Sequence, residues 1–310
     1  MIVTVGESLV DIIGGKAFPG GSPLNVAAAS SRLDSSAAYV GRISSDSYGK
    51  QILDMLIDDI VFFEPRLCNA AERTSSAMAV ANEKGDVSYT FDFDGTASVN
   101  VTASQIRSGF ESIADLQFLF AGSVSLALEP CGTSIEEVVL GLDEDVVVML
   151  DPNVRTSVSS DMSSLRARIE RLAVRASVVR FSSDDIAALY PGFSDEQTAG
   201  RMSELGVKNT IITRGSKGSS WYADGRVFFE PAIAVKPVDT VGCGDTFDGA
   251  VLHCLERIGF CRRDELSDEN IRRILRFATV AATENCLKAG CNPPHLCDSE
   301  GLEKIDSLWN

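Results

Sequence analysis

Residues 238–250, VDTVGCGDTFDGA, carry the clearest chemical signal in the sequence. Two glycines, Gly242 and Gly244, flank Cys243, and the carboxylate of Asp245 follows directly. The apolar residues that come next recur at helical spacing, at Phe247, Val251, Leu255 and Ile258. The pattern predicts a glycine turn that opens into the first turn of a helix.

A carboxylate at that position indicates a particular kind of chemistry. Unpaired backbone N–H groups and the helix dipole favour an anion at a helix N-terminus. Phosphoryl transfer to a hydroxyl needs both an anion site and a group that accepts the hydroxyl proton. Asp245 is therefore a candidate base beside a phosphate-binding turn. The alternative is that Asp245 only caps the helix, because Asp is common at helix starts.

Two segments near the N-terminus offer groups for a hydroxylated ligand. In FPGGSPLNVA (18–27), Gly20 and Gly21 let a small ligand approach the backbone, and the Asn25 amide both donates and accepts hydrogen bonds. The segment is also consistent with a plain turn before a helix. Asp11, which follows the first predicted strand, is a second hydroxyl acceptor or, equally, the cap of a neighbouring helix.

Two further polar segments each follow a predicted strand: DPNVR at 151–155 and TRGSKGS at 213–219. Ligands of open α/β sheets gather at the carboxyl ends of the strands, so Arg155 and Lys217 are candidate cations for a bound ligand. The glycines of the second segment would let its turn approach a phosphate or an adenine. Neither GxxxxGK[ST] nor GxGxxG occurs, so a nucleotide-dependent enzyme would need another architecture.

Composition restricts the classes of function. The 310 residues, 45% hydrophobic and 23% charged, are typical of a soluble globular protein of one large α/β domain. A net charge of −16 argues against nucleic acid as a partner and means that a bound nucleotide would need local cations. The candidate cations for a nucleotide are Lys16, Arg155, Arg214 and Lys217. Without a signal-peptide pattern or a membrane-length apolar run, we expect a cytoplasmic protein.

Short apolar strands alternate with helical segments along most of the chain. This order predicts βαβ units, which form a mostly parallel sheet with helices on both faces. The predicted strands are 2–5, 37–43, 116–122, 145–151, 177–181 and 209–213. The predicted helices are 22–33, 132–142, 163–173 and 195–205.

Residues 75–93 depart from this order, because they predict two strands joined by a turn at Glu83–Asp86. Strict alternation puts Tyr89, Phe91 and Phe93 on one face, opposite Thr90 and Asp92. An aromatic face of this kind would cover a substrate or a partner's matching face. The alternative is an edge hairpin packed on its own sheet.

Taken together, these segments resemble the PfkB/ribokinase family of carbohydrate kinases over essentially the whole chain. The family's two signatures correspond to GGSPLNVAAASSRL and DTVGCGDTFDGA. GRISSDSYG (41–49) is similar to a third family segment, with Ser44 in place of its second glycine. The resemblance implies a ribokinase-like α/β fold over 1–310, with a small β-hairpin lid formed from about 11–19 and 74–100.

The resemblance also implies roles for individual residues. Asp245 matches the catalytic base, and Gly242, Cys243 and Gly244 match the backbone anion hole for the transferred phosphate. The sugar-binding positions are Asp11, Gly20, Gly21, Asn25, Arg155 and Phe91. The ATP-binding positions are Ser182, Thr213, Gly215, Lys217, Gly218 and Thr279. Asp185 would act on Mg²⁺ indirectly, and Asp239 and Gly290 would hold a monovalent cation such as K⁺.

Three of these positions depart from the family pattern. Cys243 replaces the usual Ala, Thr279 stands where many relatives have Asn, and Ser182–Asp185 replaces the NxxE motif that is tied to Mg²⁺ and phosphate.

Two segments, YTFDFDGTAS (89–98) and AGCNPP (289–294), resemble bacterial fructokinase-like members in particular. The resemblance implies ATP-dependent phosphorylation of a primary hydroxyl of fructose, in a homodimer that pairs through the lid. Other sugars, 2-keto-3-deoxygluconate and nucleosides remain alternative substrates. A sugar-binding regulator that has lost turnover is the alternative from another functional class.

Overall fold

The computed structural model describes residues 1–81 and 87–309. Thirteen strands and ten α-helices lie within these residues. In chain order the strands are β1 (Ile2–Val5), β2 (Leu9–Ile13), β3 (Lys16–Gly20), β4 (Ala37–Val40), β5 (Phe62–Phe63), β6 (Ser75–Ala81), β7 (Val87–Asp92), β8 (Phe118–Gly122), β9 (Val147–Asp151), β10 (Val178–Ser182), β11 (Asn209–Thr213), β12 (Ser219–Ala223) and β13 (Arg226–Glu230). The helices are α1 (Ser22–Arg32), α2 (Ser47–Asp58), α3 (Ala103–Glu111), α4 (Cys131–Leu140), α5 (Met162–Ala173), α6 (Ser183–Leu189), α7 (Asp195–Glu204), α8 (Cys243–Arg257), α9 (Asp268–Cys286) and α10 (Glu300–Asp306).

A nine-stranded sheet forms the centre of the fold, in the order β13-β12-β11-β10-β9-β8-β1-β4-β5. Every neighbouring pair from β11 to β5 is parallel, whereas β12 and β13 pair antiparallel at one edge. Most of the parallel strands are rich in apolar residues because both of their faces are buried. The predicted mostly parallel sheet is therefore confirmed.

Helices cover both faces of this sheet, as the alternating strand residues require. Residues such as Val3 and Leu119 point into a core closed by α3 to α7. Their neighbours Ile2 and Phe118 point into a second core, closed by α1, α8, α9 and α10. The strand ends that meet at the carboxyl edge of the sheet are thereby fixed between two packed layers.

A second sheet of four strands, ordered β3-β2-β6-β7, lies apart from the first. The β6–β7 pair is antiparallel, as predicted for 75–93, and the predicted turn at Glu83–Asp86 lies outside the described residues. The rings of Phe91 and Phe93 stack with centroids 5.7 Å apart, whereas Thr90 and Asp92 are exposed. The predicted alternation is thus confirmed for these four residues.

Among the described residues, no helix is both long and apolar enough to cross a membrane.

Candidate active site

A cleft of about 790 Å³ lies where the four-stranded sheet faces the carboxyl edge of the main sheet. Its lining combines residues from β2 and β7 with the ends of β8 to β10 and the start of α8. The predicted site residues that line it are Asp11, Gly21, Asn25, Phe91, Arg155, Ser182, Asp185, Asp239, Gly242, Gly244 and Asp245.

Asp245 is held by α1 rather than by its own helix. Ser22 Oγ donates to one carboxylate oxygen at 2.7 Å, and Asn25 Nδ2 donates to the other at 2.8 Å. The N-cap of α8 is Gly242, so Asp245 lies in the first helical turn with its side chain across the cleft wall. The alternative of a simple helix cap is therefore wrong. Asp245 is only 7% exposed, so the packing around it also restricts where its side chain can lie.

Asn25 presents an acceptor that the fold leaves unused. Its Nδ2 is occupied by Asp245, but its Oδ1 is buried and has no hydrogen-bond partner among the described residues. Because a buried polar atom without a partner costs free energy, this oxygen is suited to accept from a ligand hydroxyl.

The turn before α8 presents backbone amides to the cleft. Gly242 has a φ of 72°, a left-handed conformation that favours glycine, and Cys291 packs against it where a side chain would project. No side chain among the described residues caps the helix, so the N–H groups of Gly244 and Asp245 are left for a ligand, whereas the Cys243 N–H donates to the Thr240 carbonyl at 3.3 Å. This geometry fits an anion at the N-terminus of α8.

The Cys243 side chain turns away from this site. Asn285 Nδ2 donates to its sulfur at 3.3 Å, and burial raises the pKa of the thiol to about 12. The thiol therefore stays protonated at neutral pH and adds no negative charge beside the anion site.

Asp11 lies on the opposite wall, on β2, with its carboxylate over Gly20. Burial and, to a smaller extent, the nearby negative charge of Asp245 raise its pKa to about 6, although Arg155 opposes the shift.

Glu7 is a cleft residue that the sequence reasoning missed. It is buried, and its carboxylate accepts from the Ser22 amide at 3.2 Å and from Ser123 Oγ at 2.7 Å. Burial raises its pKa, and the hydrogen bonds oppose that shift. Glu7 therefore anchors the start of α1, whose Ser22 in turn holds Asp245.

Arg180 is the second missed residue, and it lies on β10 behind the turn at Gly244. Its Nη1 donates to Asp151 at 2.7 Å and to Asp248 at 3.2 Å, and its Nη2 donates to Thr213 Oγ1 at 3.0 Å. A charged residue within the apolar run SVVRF was the available signal, because a buried strand normally excludes an unpaired charge.

Of the predicted ATP-binding residues, only Ser182 lines the cleft. Ser182 pairs with Thr213 across β10 and β11, and a short 3₁₀ turn, Gly215–Lys217, follows with Lys217 exposed. Gly218 ends this turn. Thr279 is buried on α9 and is not part of the cleft lining.

The predicted metal positions are engaged with the protein backbone. Asp185 accepts from the Val154 amide at 2.6 Å and from the Ser182 amide at 2.7 Å. Asp239 accepts from the Gly290 amide at 2.9 Å, so these two predicted cation positions do come together.

Comparison with known proteins identifies this arrangement. The sequence pattern of the pfkB family carbohydrate kinases matches residues 4–296. The chain belongs to this family. It is therefore a sugar kinase, a phosphotransferase that acts on a sugar hydroxyl.

Individual relatives of this sugar kinase agree with the assignment. A fructokinase of Rhizobium leguminosarum bv. trifolii is 32% identical over 265 residues, which are 83% of this chain and 80% of the relative. The crystal structure of fructokinase from Vibrio cholerae O395, in its fructose, ADP and calcium ion bound form, superposes with a TM-score of 0.78 at 27% identity and covers 94% of each chain. Aminoimidazole riboside kinase from Salmonella enterica, complexed with aminoimidazole riboside and an ATP analog, shares the fold alone, with a TM-score of 0.78 at 20% identity over 100% of each chain. The predicted family and ribokinase-like fold are confirmed.

Proposed function

We propose that this sugar kinase transfers the γ-phosphate of ATP to a primary hydroxyl of fructose. The observation that carries the proposal is the Asp245 carboxylate, held by Ser22 and Asn25 at the amide-rich start of α8. The fructokinase relative and the fructose-bound fructokinase structure favour fructose over other sugars.

The sugar would lie between the four-stranded sheet and the start of α1. The unpartnered Asn25 Oδ1 and the Asp11 carboxylate supply acceptors, and Arg155 supplies donors at the same wall. Gly20 and Gly21 keep side chains out of the space beside them, and the Phe91 ring closes it from β7.

The transferred phosphate would bind the amides of 242–244, with the nucleotide extended along 213–218 toward Thr279. Asp245 would accept the proton of the attacking hydroxyl as its oxygen bonds to phosphorus, while the bond to the bridging oxygen breaks and ADP leaves. Positioning and fixed donors would do most of the work, because the phosphoryl transition state is loose.

Mg²⁺ would be held through Asp185. Because its oxygens already accept from Ser182 and Val154, this carboxylate suits contact through water better than direct ligation. When bound, the metal would neutralise charge on the phosphate oxygens. Asp239 and Gly290 are the proposed monovalent-cation position, which K⁺ would occupy.

We also infer a homodimer that pairs through the four-stranded sheet. Cross-strand pairing puts Phe18, Asp11, Ala77 and Phe91 in one row on its cleft-facing side. Phe18 remains 46% exposed in that row, which favours a second copy of the sheet as its cover.

A coupled ADP-release assay over a panel of fructose, ribose, 2-keto-3-deoxygluconate and nucleosides tests the proposed reaction. We expect the highest kcat/KM with fructose. A higher value with another acceptor would reassign the substrate within the family. Binding of sugar without any turnover would identify the protein as a sugar-binding regulator.

Replacing the base gives a sharper test. In Asp245→Asn we expect kcat to fall roughly 10²- to 10⁴-fold, which is the usual contribution of a general base. Asn keeps one of the two acceptor oxygens, and the Ser22 hydroxyl can itself accept from the new NH₂ group, so KM and thermal stability should change little. Equal loss of sugar binding and of stability would instead show that Asp245 has a structural role.

A further inference from the structure

We propose that Arg180 provides the fixed positive charge behind the phosphate-binding turn and so stabilises phosphoryl transfer; this inference rests on the kinase function proposed above. Its guanidinium lies directly against the backbone of Gly244. A Cβ on Gly244 would come within 3.0 Å of Nη2 and 3.1 Å of Nη1. A side chain at the second glycine of GCGD would therefore crowd the guanidinium that packs under the turn.

Three elements hold the guanidinium in this place. Asp151 at the end of β9, Asp248 on α8 and Thr213 at the end of β11 all accept from it. The group also lies 5.9 Å from the centre of the Phe247 ring. Because Arg180 is only 7% exposed, its charge is fixed before any ligand arrives.

The surrounding charges leave a role for this cation. Burial raises the pKa of Asp248 well above its usual value and also raises that of Asp151, while the Arg180 guanidinium opposes both shifts. Both shifts favour the protonated carboxyl group, so burial reduces the negative charge that these two residues set against the guanidinium. The guanidinium is the member of this group that packs against Gly244.

The protein as a whole needs such a cation. Its net charge is −16, and a nucleotide phosphate must bind in a cleft lined by several carboxylates. Among the described residues that line the cleft, the cations are Arg155 and Arg180. Arg155 lies with Asp11 toward the sugar side, and Arg214, a candidate from sequence, is paired with Asp195. Arg180 is the cation on the phosphate side.

The test must separate a role in catalysis from the balancing of buried charge. Arg180→Gln alone leaves a buried carboxylate unpaired, so the decisive variant is the charge-balanced double variant Arg180→Gln with Asp151→Asn. Arg180→Lys keeps the charge and loses the planar fork. Arg175→Gln is the matched control, because Arg175 is also 7% exposed, precedes the same strand at its other end and donates to the Val146 carbonyl at 3.0 Å.

In the double variant we expect kcat to fall by roughly 10²- to 10³-fold, the usual cost of losing one preorganised electrostatic contact. KM for fructose should change little, and the melting temperature should stay near that of Arg175→Gln. Arg180→Lys should regain part of the lost kcat, whereas Arg175→Gln should keep the wild-type kcat. A double variant with wild-type kcat would overturn the proposal, since Arg180 would then only balance buried charge.

A binding measurement keeps this result separate from the proposed reaction. Calorimetry with ATP and with ADP measures how much the γ-phosphate adds to affinity, with or without turnover. We expect the ratio of the affinity for ATP to the affinity for ADP to fall at least about tenfold in the double variant, as for the loss of a nearby charge in a partly buried site. An unchanged ratio would overturn the role of Arg180. Wild-type protein that binds ATP but phosphorylates no sugar would overturn the kinase function alone.

Discussion

The carboxylates of the cleft differ in what the fold does to them. Asp245 is fixed by two donors from α1, whereas Asp11 lies on a facing strand among other negative charges. Burial and the charge of Asp245 raise the pKa of Asp11 to about 6, close to the working range of an enzyme. The sugar side of the site should therefore be the side that responds to mild acid.

We predict that kcat/KM for fructose falls as the pH drops below about 6, because protonated Asp11 loses its capacity to accept as an anion. Asp11→Asn should raise KM for fructose roughly tenfold or more, the loss of one hydrogen bond to a charged group. It should also remove this acid limb from the pH profile. A limb that persists unchanged in Asp11→Asn would assign the titration to another group.

The same shift has a predictable sign for stability. Since the folded-state pKa of Asp11 is above its usual 3.8, the folded protein binds this proton more tightly than the unfolded chain. The stabilising contribution is complete below pH 3.8 and is lost as the pH rises through about 6. Asp11→Asn should therefore gain stability relative to wild type above that range.

The site residues that could be predicted from sequence are those within local motifs. Asp245, Asn25 and Asp11 each follow a glycine turn or a strand end that is readable from neighbouring residues. Glu7 accepts a hydrogen bond from Ser123, more than 100 positions away along the chain. Arg180 donates to Asp248, more than 60 positions away. Such pairs form only after the sheet has brought its strand ends together, so the sequence can mark Arg180 as an unusual charge in a buried strand but cannot identify its partners.

At the scale of elements, the crossing of α1 and α8 sets the position of the base. The helices approach closely at Gly249, where an added Cβ would lie 2.7 Å from Ala29 Cβ and 3.1 Å from the Val26 carbonyl. Four residues before it along α8, Asp245 accepts from Ser22 and Asn25. The distance between the two helices therefore determines whether both hydrogen bonds form.

We predict that Gly249→Ala destabilises the protein by roughly 1–3 kcal/mol, the usual cost of overpacking, and lowers kcat because α8 must move away from α1. Gly200→Ala is the matched control, since Gly200 is also helical and has no atom within 4 Å of an added Cβ. That variant should be neutral or more stable by up to about 1 kcal/mol through helix propensity. Chemical denaturation and steady-state kinetics measure both effects, and equal behaviour of the two variants would contradict the argument.

The elements that could be predicted were those whose burial shows in the sequence as a run of apolar residues. Buried parallel strands such as β1, β9 and β11 are short segments rich in β-branched and apolar residues, and their predicted bounds were close to those observed. The antiparallel β12–β13 pair was not predicted, because its strands are short and expose alternate residues. The seven-residue α6 was also missed, because about two helical turns are too few for an apolar stripe to be recognised in the sequence.

At the scale of the whole molecule, the cleft-facing row of the four-stranded sheet ends in an exposed aromatic ring at the edge of the sheet. Phe18 at its edge is exposed although Asp11 and Phe91 in the same row line the site. A second copy of this sheet would bury the ring and exclude water from the sugar at the same time. Oligomeric state and sugar binding should therefore be coupled.

We predict that Phe18→Asp shifts the protein from dimer to monomer in light scattering after gel filtration, because a charge would be buried in the apolar interface. KM for fructose should rise with this change, whereas the melting temperature extrapolated to low protein concentration should not. Phe229→Asp is the control, because Phe229 is 54% exposed on the edge strand β13, away from the four-stranded sheet. It should remain dimeric with an unchanged KM. A wild-type protein that is monomeric at all concentrations, or a Phe18→Asp variant that stays dimeric, would contradict pairing through the sheet.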